Sequence, residues 1–349
     1  MLPDAELFLM DPTEDKAASS SPETRHLTGL IAEFATKSRA KDTFKKYRTP
    51  WRRWICWATL RSRKGEATPA LPANPFHVAL FLAHLSEEYP DAVTVVGSAK
   101  TAINFAHKFN DLPEPHGAMA QAVTEGVRRT RGRPTVKAKP LTRSMVRKIQ
   151  RNWGGEEHSL WKHMMSTMVS LGFHAWCRFG ELEALKRSDV VIKNDHMRIF
   201  IEKSKTDQCR KGAWVLIAKS GGKFCPVDLM ARFLRRTQEA GRTALFPTIW
   251  RRSRKRTGDL MLGIRAISST TYHKYFRRAL RKLVGLSAEE ALKYSGHSLR
   301  RGGATAAALV QLPTHLRMSH GRWVDQRAAD GYIGVPFQTA LQVTQKMGL

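Results

Sequence analysis

Between Lys37 and Lys64 the apolar residues Phe44, Tyr47, Trp51, Trp54 and Ala58 recur three or four positions apart, which is one face of a helix. Pro50 falls inside this stretch and is expected to kink or split it. Asn74 followed by Pro75 reads as a helix start, a capping side chain and then proline at the first helical position. Val78, Phe81, Leu82 and Leu85 continue as its buried face. Two more helical stretches are expected around 94–108 and 117–129. Residues 26–130 therefore read as an all-α domain, after an acidic, Ser-rich leader (1–25) expected to be disordered. Helical texture returns over 142–187, starting at the cap Thr142. From Val190 to Ile217 it gives way to VVI, the turn Asn194–Asp195, MRIFI, a polar loop and AWVLI, a three-stranded antiparallel meander. Beyond 226 the chain reads as mostly helical, so the second domain (142–349) is mainly α with one small sheet.

At 349 residues the chain is long enough for two domains, and 42% hydrophobic residues can build real cores. The formal charge of +29 argues against an ordinary neutral metabolic enzyme and for a polyanionic partner, nucleic acid or a membrane surface. No apolar stretch reaches the ~18 residues a membrane span needs. The first residues carry acids where a signal peptide needs bases, so secretion is not expected. Cys56, Cys177, Cys209 and Cys225 form no CxxC pair and read as reduced thiols of an intracellular protein.

The bases are not spread evenly. The Lys37–Lys64 segment holds eleven Lys or Arg against one acid, Asp42. With the aromatics buried as core, Lys41, Lys45, Arg48 and Arg52 are left to track duplex phosphates. Trp51, Trp54 and Trp57 as a single-strand stacking platform are the less favoured reading. The stretch RRTRGRPTVKAKPLTR at 128–143 contains a basic linker (131–141), with Arg129, Arg131, Arg133 and Lys137 expected along a phosphate backbone. RRSRKR at 251–256 reads as an exposed loop or helix end, or as a nuclear targeting patch.

No zinc-ligand spacing, P-loop, GxGxxG or GxSxG elbow is present, and no metal or cofactor is expected. His315 and His320 are five apart and share a helical face poorly, which makes them a weak metal pair. Three motifs in the second domain carry chemistry. In Trp176-Cys177-Arg178-Phe179-Gly180-Glu181-Leu182 an arginine sits among apolar residues with an acid three positions on. On a helix the two share a face, so Glu181 is expected to hold Arg178; a plain structural ion pair is the alternative. In Gly296-His297-Ser298-Leu299-Arg300-Arg301-Gly302-Gly303, His297 and Arg300 precede glycines and an Ala-rich helix suited to close packing. Gly321-Arg322-Trp323 is followed nine residues later by Tyr332, one of six tyrosines in the chain. Tyr272, Tyr275 and Tyr294 compete with it and read more readily as core or phosphate contacts.

Arg, then His-x-x-Arg, then Trp, then Tyr in this order resembles the tyrosine recombinases, the lambda integrase family. The intervals from His297 to Arg300 (3), from His297 to Trp323 (26) and from Trp323 to Tyr332 (9) look most like Cre recombinase. GRW and HSLRRGGATAA also look like recombinases of DIRS- and Crypton-type mobile elements. The resemblance covers about residues 26–349 and is strongest over 170–335. It implies an N-terminal all-α, SAM-like core-binding domain and an α-rich catalytic domain with a small antiparallel sheet, closing as a C-shaped clamp on DNA. It implies a site-specific recombinase in which Tyr332 attacks a phosphodiester to give a 3′-phosphotyrosine, with exchange through a Holliday junction and without metal or ATP. Arg178 and Arg300 would meet the non-bridging oxygens, and His297 would assist proton movement. A lysine on the hairpin loop would protonate the leaving oxygen: Lys205, next to Thr206, with Lys203 as the alternative, or all such lysines as simple phosphate contacts.

Most of the family carries His where this chain has Trp323. Indole donates but cannot shuttle a proton, so Trp323 is expected to bond a phosphate oxygen or pack behind Tyr332. The resemblance further implies double-stranded DNA with paired sites as partner, a homotetramer on DNA and a monomer or weak oligomer when free. It implies no membrane and a place on DNA inside the cell, in the nucleus if the host is eukaryotic. The segment after Tyr332 reads as a short amphipathic helix, docking on a neighbouring subunit or on its own domain. Two other readings remain open: a type IB topoisomerase-like relaxing enzyme, and a catalytically silent DNA-binding protein.

Overall fold

A computed structural model of the chain describes residues 8, 21–37, 41–115, 117–134, 136–202, 212–238, 243–251 and 260–334. The chain divides into two units, Met1–Thr135 and Val136–Leu349, each with its own core.

The first unit is helical: α1 (Pro22–Lys37), α2 (Lys41–Arg63), α3 (Pro75–Glu88), α4 (Val93–Phe109) and α5 (Ala118–Arg131). The aromatic row of α2 forms the centre of its core, with Trp54 fully buried and donating its indole N–H to the Ala70 carbonyl at 2.9 Å. Pro50 does not split α2, which runs unbroken from Lys41 to Arg63. The burial of Phe44, Trp51 and Trp54 on one face offsets the one backbone hydrogen bond that proline removes. The Asn74 side chain accepts from the Phe76 N–H at 2.8 Å, so α3 starts as its sequence predicts. The expected leader differs in two places. Phe8 is buried against Phe44, Trp51 and Phe105, and α1 already begins at Pro22. An isolated phenylalanine in a polar stretch carries no periodicity that announces burial.

The second unit is built around α7 (Leu160–His174), which follows α6 (Arg143–Trp153) and is buried from His163 to Phe173. A helix apolar on all sides belongs inside a core. The short α8 (Phe179–Ala184) leads into the meander β1 (Val190–Ile192), β2 (His196–Ile201) and β3 (Ala213–Ala218). Register pairs Val190 with Ile199 and Ile199 with Val215, and Met197, Ile199, Ile201, Val215 and Ile217 face the core. After α9 (Pro226–Arg236) comes a second antiparallel pair, β4 (Pro247–Arg251) and β5 (Leu260–Ala266). The sequence reading had one sheet and helix here. The basic run hides the hairpin: Arg251 ends β4, and 252–259 lie outside the described residues. The remaining helices are α10 (Ser269–Ala279), α11 (Ala288–Leu292), α12 (His297–Leu309), α13 (Thr314–Gly321) and α14 (Gln326–Asp330). Among the described residues no helix is long and apolar enough to cross a membrane.

The two glycines in the middle of α12 are contact points. A Cβ on Gly303 would overlap the Trp176 ring and the Phe173 carbonyl, and one on Gly302 would overlap the Leu141 backbone. Gly303→Ala is therefore expected to cost about 2 kcal/mol and to lower Tm by roughly 4–8 °C. Calorimetry of the variant beside its parent checks this, and an unchanged Tm would mean that α12 can shift away without loss.

Candidate active site

The site forms where α7 ends. Trp176 adopts a left-handed backbone (φ 49°), which turns its carbonyl toward α12 and the turn after α13. Arg178 then takes an extended conformation as N-cap of α8, with Glu181 at the third helical position. The Arg178 N–H donates to Glu181 Oε2 at 3.0 Å and Arg178 Nη1 donates to Glu181 Oε1 at 2.7 Å. The sequence pairs these two residues correctly but for the wrong reason. Arg178 precedes the helix, and the pairing is a capping arrangement instead of two neighbours on a helical face.

Arg300 projects from α12 and is fully buried. Its Nη1 donates to the Trp176 carbonyl at 2.7 Å and its Nη2 to the Gly321 carbonyl. The guanidinium carbon lies 4.6 Å from the centre of the Trp323 ring and 4.9 Å from that of Tyr332. Trp323 packs against Tyr332 (5.3 Å between centroids) and Trp176 (5.5 Å), and its indole N–H is buried without a partner. Tyr332 is held by its own backbone, since its N–H donates to the Ala329 carbonyl at 3.0 Å. Two residues on, the Gly334 N–H donates to Thr305 Oγ1 at 2.8 Å, which ties the segment back to α12.

Three guanidiniums crowd this volume against one carboxylate. Burial works against the charge of Arg178, but the Glu181 carboxylate, and after it the neighbouring Tyr332 phenol, outweigh burial and hold its pKa above the ordinary arginine value. Arg300 has no carboxylate of its own. Burial, and then the charges of Arg178 and Arg322, push it down to about 10, still charged at neutral pH. Cys177 is buried beside them, its thiol pushed up to about 12 by loss of solvent, so it is no nucleophile at neutral pH. Such a site offers fixed cations, N–H donors without a partner among the described residues (the Trp323 indole and the Nε of Arg300 and Arg322) and a phenol beside them. That set suits an anion that gains charge during reaction.

Of the residues singled out by sequence, the structure brings together Arg178, Glu181, Arg300, Trp323 and Tyr332. His297 is exposed at the first residue of α12, one turn before Arg300. Lys203 and Lys205 lie outside the described residues, as does Cys209; Cys56, Cys177 and Cys225 are free thiols. Lys45, Arg52, Arg129 and Lys137 are exposed and Arg48 is half-buried; the Lys41 side chain is outside the described set. Arg131 donates to the Ser86 carbonyl, and Arg133 pairs with Asp91 at 2.7 Å. His315 is exposed, whereas His320 bonds the His174 carbonyl through Nε2 at 2.7 Å, so the two form no ligand pair. Among the described residues no three His, Cys, Asp or Glu stand together as a metal site. The competitors of Tyr332 are packed elsewhere: Tyr272 is fully buried, Tyr294 nearly so, and Tyr275 lies against Trp161.

Two residues of the site escape sequence reasoning. Trp176 contributes a carbonyl and a ring edge, and Arg322 a buried guanidinium (side chain 9% exposed). Arg322 sits in the GRW motif, yet its left-handed backbone (φ 55°) is one that sequence assigns to Gly or Asn.

No family model matches the chain. It is 24% identical over 303 residues to an integrase/recombinase XerD homolog from Selenomonas ruminantium, covering 85% of this chain and 82% of the relative. Its fold resembles that of the XerH site-specific recombinase bound to palindromic difH substrate in a post-cleavage complex. The TM-score is 0.58 at 15% identity, covering 90% of this chain and 82% of the other. It also resembles a lambda integrase (75–356) dimer bound to a COC′ core site, with a TM-score of 0.51 at 18% identity over 88% of this chain and 94% of the other.

Proposed function

We propose that the chain is a tyrosine recombinase, a site-specific DNA recombinase in which Tyr332 is the nucleophile. The observation that carries this assignment of the nucleophile is the meeting of Arg178, Arg300, Trp323 and Tyr332, from three separate stretches of chain, around one small volume.

The Tyr332 oxygen attacks the scissile phosphorus, the bond to the 5′ oxygen breaks, and the 3′ end stays attached as a phosphotyrosine. The phenol gives up its proton to water as it attacks, and the fixed positive charge beside it favours the phenolate. Arg178 and Arg300 meet the charge that gathers on the non-bridging oxygens, because paired guanidinium N–H groups match phosphate geometry. The indole N–H of Trp323 bonds one of the same oxygens. The leaving 5′ oxygen takes a proton from Lys205, or from Lys203, and His297 assists the transfer. Since the phosphodiester energy stays in the adduct, a second 5′-hydroxyl can close it without ATP. Arg300 lies beneath the Tyr332 ring, so that ring lifts off the guanidinium when a phosphate enters.

The partner is DNA. Its finer description belongs to the same proposal: duplex with paired sites and four copies of the chain in the active assembly. Lys41, Lys45, Arg48, Arg52, Arg129, Lys137 and Lys203 supply backbone contacts; Arg131 and Arg133 do so on release from Ser86 and Asp91. The work is done on DNA inside the cell.

The test is capture of covalent adducts. Cells expressing the protein beside its native flanking DNA are lysed into SDS with EDTA, and protein-linked DNA ends are sequenced. Adducts joined to 3′ ends at one sequence, undiminished by EDTA, are expected. Adducts on 5′ ends, or adducts that EDTA prevents in the purified reaction, would overturn the mechanism.

A further inference from the structure

We propose that Arg322 is a positioning residue: by gripping Glu181 it ties the turn that carries Trp323 to the carboxylate that aims Arg178. The inference rests on the recombinase reading above.

The Glu181 carboxylate is almost completely buried and is shared. Oε1 accepts from Arg178 Nη1 at 2.7 Å, while Oε2 accepts from the Arg178 N–H at 3.0 Å and from Arg322 Nη2 at 2.8 Å. The Arg322 guanidinium also donates to the carbonyls of Ala175 (3.1 Å), His320 (3.3 Å) and Trp176 (3.4 Å). One side chain therefore holds the end of α7, the cap of α8 and the end of α13 together. If Arg322 served only to end α13, glycine would take the left-handed backbone without strain. An arginine there at φ 55° persists because its fork is satisfied on several sides.

The residues on either side of Arg322 explain why this matters. The Gly321 carbonyl receives Arg300 Nη2, and Trp323 packs on Arg300 and Tyr332. Loosening Arg322 frees this turn and leaves Glu181 with Arg178 alone. Arg178 then points less firmly, and the net positive field beside the phenol falls by one charge.

The experiment uses the full chain and a duplex of the sequence found by adduct capture, made with either oxygen or sulfur at the bridging 5′ position. Sulfur leaves without a proton, so it separates aim and field from acid catalysis. Arg322→Met is expected to bind this duplex within about twofold of the parent and to form adduct about 30- to 100-fold more slowly on both substrates. Its pH–rate profile should move toward alkaline pH, because the phenol loses positive charge nearby. Arg322→Lys should recover about tenfold of the loss, as a point charge without the fork. In a Glu181→Gln background Arg322→Met should cost less than about threefold, since both substitutions break one link.

A rate within about threefold of the parent with an unmoved pH profile would overturn the proposal. So would full additivity with Glu181→Gln, or a fall in affinity and melting temperature that accounts for the lost rate in both the Met and Lys variants. A parent that makes no adduct on any DNA overturns the recombinase reading itself, a result distinct from normal adduct formation by the Arg322 variants.

Discussion

The Tyr332→Phe protein is expected to bind DNA as the parent does and to form no covalent adduct. The ring that packs on Trp323 and covers Arg300 remains, so the local structure survives. What goes is the hydroxyl beside Arg178. Arg178 keeps Glu181 as its partner. No neighbouring phenol can take over. Tyr272 is sealed in the core, with burial pushing its pKa far up, and burial likewise raises Tyr294. Adduct formation should fall by about 10⁴-fold or more, with affinity within about twofold. Equal adduct yields from the two proteins, measured on one duplex in one buffer, would remove Tyr332 from the reaction.

Arg300→Met should separate activity from stability. The lost charge that faces the phosphate is expected to lower the adduct rate by about 10³-fold or more. Stability responds to opposing terms. Methionine leaves the Gly321 carbonyl without Arg300 and the Trp176 carbonyl with only the long bond from Arg322, at about 1–3 kcal/mol each, and gives up the attraction of two ring faces. Against this, the folded chain no longer buries a guanidinium next to Arg178 and Arg322. The depression of Arg300 to about 10 makes that charge unfavourable in the folded state by about 3 kcal/mol at neutral pH. The terms offset one another in part, so Tm should fall by less than about 10 °C while the adduct rate collapses. A Tm loss beyond about 10 °C would instead make Arg300 a structural anchor, its charge incidental.

Much of the fold was legible because burial imposes a period. The row from Phe44 to Ala58, the cap at Asn74 and the alternation through β2 each announce an element from a handful of residues. The β4–β5 hairpin was not legible, since a run of bases interrupts two short strands and leaves neither with a clean alternation. Phe8 gave no signal, being one apolar residue with no neighbours to set a phase. In the site, Arg178, Arg300, Trp323 and Tyr332 could be listed from motif order, yet how they meet could not. The contacts that gather them run through carbonyls of Trp176 and Gly321 and through two left-handed backbones, and neither leaves a mark on side-chain identity. Arg322 was visible in the GRW motif as a letter, while its hold on Glu181 depends on residues 141 positions apart.

The concealment of Arg300 bears on how the protein responds to salt. Cations condensed on DNA are released as lysines and arginines neutralise its phosphates, and that release sets how steeply affinity falls with ionic strength. A guanidinium covered by Trp323 and Tyr332 meets no phosphate while that cover is in place. A plot of log affinity against log salt is therefore expected to count the phosphates met by lysines and arginines of the surface, and to omit Arg300 for as long as the Tyr332 ring covers it.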